Sequence, residues 1–258
     1  FFLVNDLMGA TNEVHRPLSR EIVVRLIARK KAKPELAVLF VTDPINDVYG
    51  GMQAPQLEAL LAADIDVVIT DLTALRDSNP LYSSLWRIAI QWWSNSDDGG
   101  SMPNPFTADS APITLRSWLA LLNFKANHRK LIVADRSDHS LVGLVTSANP
   151  HDASSAHSNV ALRFEGEIAR TIIESEIADA RFSGWRGHIY ADAIDEAPAA
   201  VQDDAPRLSF LTEEAIRDHL LEEIRLTRSG NAISIATFYL SHRSIIEALL
   251  DVARRNLR

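Results

Sequence analysis

His128 and Lys130 stand two positions apart, and Asp135 follows five positions after the lysine. In an extended strand residues i and i+2 share a face, so an imidazole and an ammonium project side by side. These groups suit phosphodiester chemistry. An imidazole can attack phosphorus and divide one hard displacement into two easier ones. A lysine offers a compact positive charge to the non-bridging oxygens. A carboxylate on the other ring nitrogen, the part expected of Asp135, fixes the tautomer and supports the developing charge. Thr146, Ser147, Ala148 and Asn149 close the next strand-like stretch. Ser147 and Asn149 there can add neutral hydrogen bonds to the same phosphate oxygens. A lone strand histidine is more often structural than catalytic; the joint pattern is what points to chemistry.

The elements that must position these groups can be read from periodicity. Residues 19–31 carry Ile22, Val23, Leu26 and Ile27 on one helical stripe, with Ser19 placed as an N-cap and Pro34 as the stop. Residues 36–41 form a short continuous apolar run, as in a strand buried on both faces. A helix over 55–63 and a second buried strand over 65–70 follow. Such alternation predicts an α/β fold with a mixed, largely parallel sheet flanked by helices. Beyond the histidine motif, strands are expected over 130–134, 141–146 and 161–164, and a helix over 167–181.

Between these parts, 94–112 reads as a long loop, with Asp97, Asp98, Gly99, Gly100 and three prolines. Trp86, Trp92, Trp93, Phe106 and Trp118 lie in or beside it. They read as core aromatics of flanking helices, or else as a pocket rim or membrane-contact surface, since Trp suits places apolar at one end and wet at the other.

The last quarter looks like a partial repeat. A linker rich in Ala, Asp and Pro spans 191–210, then come a helix over 212–227 with an incomplete capping box at Thr212, a strand over 232–240 and a helix over 244–255. Phe238, Tyr239 and Leu240 before that helix parallel the opening Phe1 to Val4, which reads as the end of a strand. The expected organisation is a first half over 1–190, the linker, and the incomplete start of a similar second half over 211–258.

Composition narrows the classes. The 258 residues include 34 Asp and Glu against 26 Lys and Arg, for a net charge of −8. That balance argues against nucleic acid as a partner, since phosphate backbones gather basic surfaces. There is no cysteine, so disulfides, thiolate metal sites and cysteine nucleophiles are excluded within the chain. No apolar run reaches the length of a membrane span.

The segment 127–135, Asn-His-Arg-Lys-Leu-Ile-Val-Ala-Asp, resembles the phospholipase D superfamily and its HxKxxxxD signature. With the stretch 158–166 it is most similar to the bacterial cardiolipin synthase and phospholipase D-like branch. The resemblance implies a mixed sheet flanked by helices, normally duplicated, and a covalent phosphohistidine with no metal or other cofactor. It makes His128 the nucleophile, Lys130 with Ser147 and Asn149 the phosphate-binding groups, and Asp135 a further catalytic residue. It implies a phospholipid substrate, water or an alcohol as acceptor, and a location in the cytoplasm or at the membrane periphery, with a membrane surface as a further partner. In the family a second motif's histidine protonates the leaving alcohol. This sequence departs in three places, one of them a stretch between Asp135 and Ser147 longer than the family's. Thr146 stands where the family has glycine before the serine, and His242, Arg243 and Ser244 offer serine where a second motif needs lysine. A second half in cis, or a second copy in trans, would then complete the site. Two other readings stay open: a single-motif homodimeric phosphodiesterase or nuclease, and a catalytically silent binding module.

Overall fold

The structure, a computed structural model, describes residues 16–106, 111–189, 208–237 and 240–256. It divides into two compact units, split between Asp203 and Asp204. The expected opening strand at Phe1 to Val4 and most of the 191–210 linker lie outside the described residues.

In the first unit, α1 (Leu18–Ala32), β1 (Leu39–Thr42), α2 (Pro55–Leu61) and β2 (Asp66–Ile69) form the expected alternating series. β1 and β2 pair in parallel, Phe40 opposite Val67. Both faces of this pair are covered. Phe40 packs with Val23 of α1 and with Leu57 and Leu60 of α2, while Val68 packs with Ile177, Ala180 and Trp185 at the far side. Successive strand residues alternate between the two clusters, which is why the run reads as continuously apolar. Trp185 directs its indole N–H to Asp66 Oδ2 at 2.9 Å and so keeps its one polar group satisfied.

α1 starts two residues earlier than the Ser19 cap predicts, with Pro17 at its N-cap. Ser19 is buried in the first turn, and its N–H and hydroxyl both donate to Asp152 Oδ1, at 3.3 and 3.1 Å. A distant carboxylate thus serves the free amide end of α1, where a local side chain was expected.

α3 (Pro80–Leu85) runs on into a π-helical stretch, Trp86–Ile90, and α4 (Leu115–Ala120) follows the long loop. Then β3 (Leu131–Asp135), β4 (Leu141–Thr146) and β5 (Ala161–Glu165) form an antiparallel sheet in that order, backed by α5 (Glu167–Phe182). The fold is therefore mixed α/β, and a largely parallel sheet is not shown. Among the described residues one strand pair is parallel and three strands are antiparallel. The five-residue connection between β3 and β4 is long enough for a hairpin and too short for a parallel crossover.

In the second unit, α6 (Glu214–Leu226) and α7 (Arg243–Asn256) pack on each other. α6 opens after Glu213, whose φ is 52°, and no side chain caps it. The strand expected over 232–240 is not formed by 232–237. Among the described residues this stretch joins neither sheet, and Ile233 and Ile235 are exposed. Phe238 and Tyr239 lie outside the described residues. No helix among the described residues is long and apolar enough to cross a membrane.

One contact in the antiparallel sheet is close enough to test. Gly143 of β4 lies opposite Phe164 of β5, and a Cβ at Gly143 would meet Phe164 Cε2 at 2.2 Å and Cζ at 2.4 Å. Phe164 is buried and cannot swing away freely. Gly143→Ala should therefore destabilise the fold by about 1–3 kcal/mol in urea unfolding. Phe164→Leu should relieve part of that loss in the double variant.

Candidate functional site

The chain from Asn127 to Lys130 enters β3 in extended form, and its side chains divide by parity. Asn127 and Arg129 turn toward α5. Asn127 Nδ2 donates to Asp179 Oδ2 and to Thr70 Oγ1, both at 2.9 Å, and Arg129 Nη1 meets Glu176 Oε1 at 3.0 Å. Extended geometry sends His128 and Lys130 to the other face. Lys130 lies close enough to His128 for its charge to act on the imidazole. His128 is exposed. Lys130 is buried, and its ammonium donates to the His128 carbonyl at 2.7 Å.

The carboxylate beside this pair is Asp43, at the end of β1. It is buried. Oδ1 accepts from the Ile45 N–H at 2.8 Å and Oδ2 from the Asn127 N–H at 2.6 Å. Burial pushes the Asp43 carboxyl above its ordinary range, while these two amides and Lys130 pull it back toward the charged form. Asp47, one turn later, is also raised by burial; it accepts from the Gly50 N–H at 2.9 Å. Burial and these two carboxylates raise the Tyr49 hydroxyl as well. Between them the backbone is strained. Val48 and Tyr49 have φ of 49° and 57°, and for a β-branched residue that is a rare conformation. The Tyr49 N–H to Pro44 O and Met52 N–H to Asp47 O bonds, 2.7 and 3.0 Å, hold the turn. Such strain, of order 1–3 kcal/mol per residue, persists only where the surroundings enforce it.

The long loop is fastened to the same turn. Asn95 Nδ2 donates to the carbonyls of Tyr49 and Gly50, both at 2.9 Å, and Asn95 Oδ1 accepts from Thr114 Oγ1 and Ser117 Oγ. Met102 and Ile113 exchange backbone hydrogen bonds across the loop's neck.

Burial, and then the nearby Lys130 charge, lower the pKa of His128. Both influences favour the neutral ring, the form that carries a nucleophilic lone pair. Burial also lowers Lys130 to about 8, opposed by Asp43. Lys130 thus remains mostly protonated at pH 7, but with much less margin than a surface lysine.

The other expected site residues are placed differently. Asp135 ends β3, exposed and paired opposite Leu141. At roughly 3.3 Å per extended residue it lies on the order of 20 Å from His128. Among the described residues no hydrogen bond joins a carboxylate, from Asp135 or elsewhere, to the His128 ring. Ser147 turns to the other edge of β4. Its N–H donates to Val160 O, its hydroxyl donates to Asn159 Oδ1 at 3.2 Å, and that hydroxyl accepts from the Val160 N–H at 3.0 Å. Asn149 is half-buried, three residues past the end of β4. Opposite Lys130 stands Thr146, whose N–H donates to Lys130 O at 3.0 Å.

Motif reading missed Asp43, Asp47 and Tyr49. One signal was available: Asp43 follows an apolar run at the carboxyl end of a parallel strand, where α/β sheets commonly gather their functional groups. No known protein family, curated protein or solved structure matches the chain.

The lowered Lys130 pKa fixes a pH dependence. The folded state binds fewer protons than the unfolded state between about 8 and the ordinary 10.5, so stability rises with pH across that window. Below it, the buried charge costs stability. In denaturant titrations the wild-type chain should gain up to ~3 kcal/mol between those pH values relative to Lys130→Met, which has no charge to lose. Parallel pH profiles for the two proteins would refute the burial of a charged ammonium.

Proposed function

We propose that this protein cleaves or transfers phospholipid phosphodiesters through a covalent adduct on His128. One observation carries the reading. An exposed imidazole stands beside a buried lysine two positions on, whose ammonium donates to the imidazole residue's own carbonyl at 2.7 Å. The resemblance of 127–135 to the phospholipase D signature supplies the substrate class.

In the first step the imidazole lone pair forms an N–P bond as the bond from phosphorus to the departing alcohol oxygen breaks. The alcohol leaves with a proton from an acid. In the second step the oxygen of water or of another alcohol attacks phosphorus, gives up its proton, and releases the imidazole. Lys130 offers its positive charge to the non-bridging oxygens, where negative charge grows. Asp43 accepts from the amide just before His128 and its charge favours the ammonium two residues after it, so it acts as a positioning residue. The acid for the leaving alcohol is assigned to a second histidine motif, in cis or from another copy, because His242, Arg243 and Ser244 do not form one. On this reading the two small sheets belong to one mixed, largely parallel sheet that the family duplicates.

The test uses a phosphatidyl nitrophenyl ester, whose leaving group departs without a proton, so a missing acid does not block the first step. The wild-type chain should release nitrophenolate and retain a phosphatidyl group on His128 by peptide mass mapping. His128→Ala and His128→Asn should abolish both signals. Lys130→Ala should slow the release by about 10²–10³-fold. An adduct on another residue, or undiminished release by His128→Asn, would overturn the assignment.

A further inference from the structure

Along α3 and its π-helical continuation the usual polarity of a helix is inverted. Leu81, Leu85, Ile88 and Trp92 are 85%, 53%, 78% and 75% exposed, at intervals of four, three and four residues. That spacing makes one stripe on the outward face. The inward side holds polar groups beside the buried Ile90 and the half-buried Trp86. Ser83, 2% exposed, donates its hydroxyl to Asn123 Oδ1 at 3.1 Å, and the Tyr82 hydroxyl donates to Leu119 O at 2.9 Å. A helix that only stabilises a fold buries its apolar stripe. A contiguous exposed row of large apolar side chains marks a contact surface.

Charge and tethering indicate what it contacts. From Ser78 to Ser96 there is no Asp or Glu, in a chain that has 34 of them, and Arg87 is the only charged residue. Asp77, just before, is neutralised by Arg87 and Lys125 at 2.6 and 2.7 Å. A surface approaching phosphate headgroups must be free of carboxylates, and this is such a stretch in an otherwise acidic protein. The Trp92 indole N–H is satisfied by Arg87 O at 3.0 Å, so its ring can leave water without stranding a donor. Trp93, beside it, is also exposed. Three residues past Trp92, Asn95 bonds the strained turn next to Asp43, so the stripe is joined to the His128 region by a short path.

We propose that this ridge is the surface by which the protein lies on a phospholipid bilayer, with Leu81, Leu85 and Ile88 at the acyl boundary and Trp92 and Trp93 at headgroup level. The proposal rests on the reading above that the substrate is a membrane phospholipid, and it adds where the protein meets that membrane.

The experiment is flotation of the full 258-residue chain with unilamellar vesicles of phosphatidylcholine and phosphatidylglycerol, some carrying brominated acyl chains. Wild type should float and show Trp quenching. Leu85→Asp with Ile88→Asp should lower the partition coefficient by about a hundredfold, and Ile88→Gln alone by about tenfold. Circular dichroism should stay unchanged, because the replaced side chains are exposed. Absence of vesicle binding by wild type, or equal binding by the double variant, would overturn the proposal. So would a wild-type dimer that the double substitution dissociates, which would give the ridge to a second copy. His128→Asn should float like wild type. Vesicle binding without an adduct on His128 would remove the catalytic reading and leave the surface standing. An adduct formed on a dispersed short-chain nitrophenyl ester without vesicle binding would do the reverse.

Discussion

Two opposite charges lie out of water where β1 meets the approach to β3, and the site is arranged around them. Asp43 has both carboxylate oxygens committed to backbone amides, one in its own turn and one on Asn127. Lys130 has its ammonium on the His128 carbonyl and the Asp43 charge nearby. Neither charge would be tolerable there alone, because an isolated buried ion costs far more than any hydrogen bond returns. Together they fix the backbone on both sides of His128 without touching its ring. The imidazole is thus held by its chain and left chemically free.

The opposite face of the same stretch is fixed by α5. Arg129 meets Glu176, and Asn127 meets Asp179, three positions apart on one helix face. Burial raises Glu176, and Arg129 draws it back toward the charged form. Odd-numbered side chains are therefore clamped to a helix, and even-numbered ones are presented away from it. The period of two that makes a strand is here also the device that separates holding residues from acting residues.

Much of this was legible in the sequence because period and spacing are local properties. The sidedness of His128 and Lys130 follows from an interval of two. The strands β1 and β2 could be recognised from continuous apolar residues. What was not legible depends on contacts distant in the chain. Asp152 serves α1 across 133 positions, which no local capping rule anticipates. The direction of β3 against β4 depends on how a short connection turns. Asp135 matched the motif spacing, but extension carries it away from the histidine, and the nearby carboxylate comes from Asp43, which no motif spacing links to His128. The tryptophans read as core or as surface from sequence alone, and the inward claim of Ser83 on that helix face decided the matter for Trp92.

The topology also sets an order of assembly. β3, β4 and β5 form a meander whose pairings need connections of five and fourteen residues, the first closed where the Arg136 N–H meets Ser140 O. The Asp43–Asn127 clasp closes a chain segment of 84 positions. Loop-closure entropy grows with length, and long-range contacts become favourable only after that entropy has been overcome. The meander can therefore exist before the clasp does. In such a chain the His128 strand is available early as a hairpin edge, but it becomes a site only when the amino-terminal strand arrives. Chemical competence is thereby tied to completion of the fold.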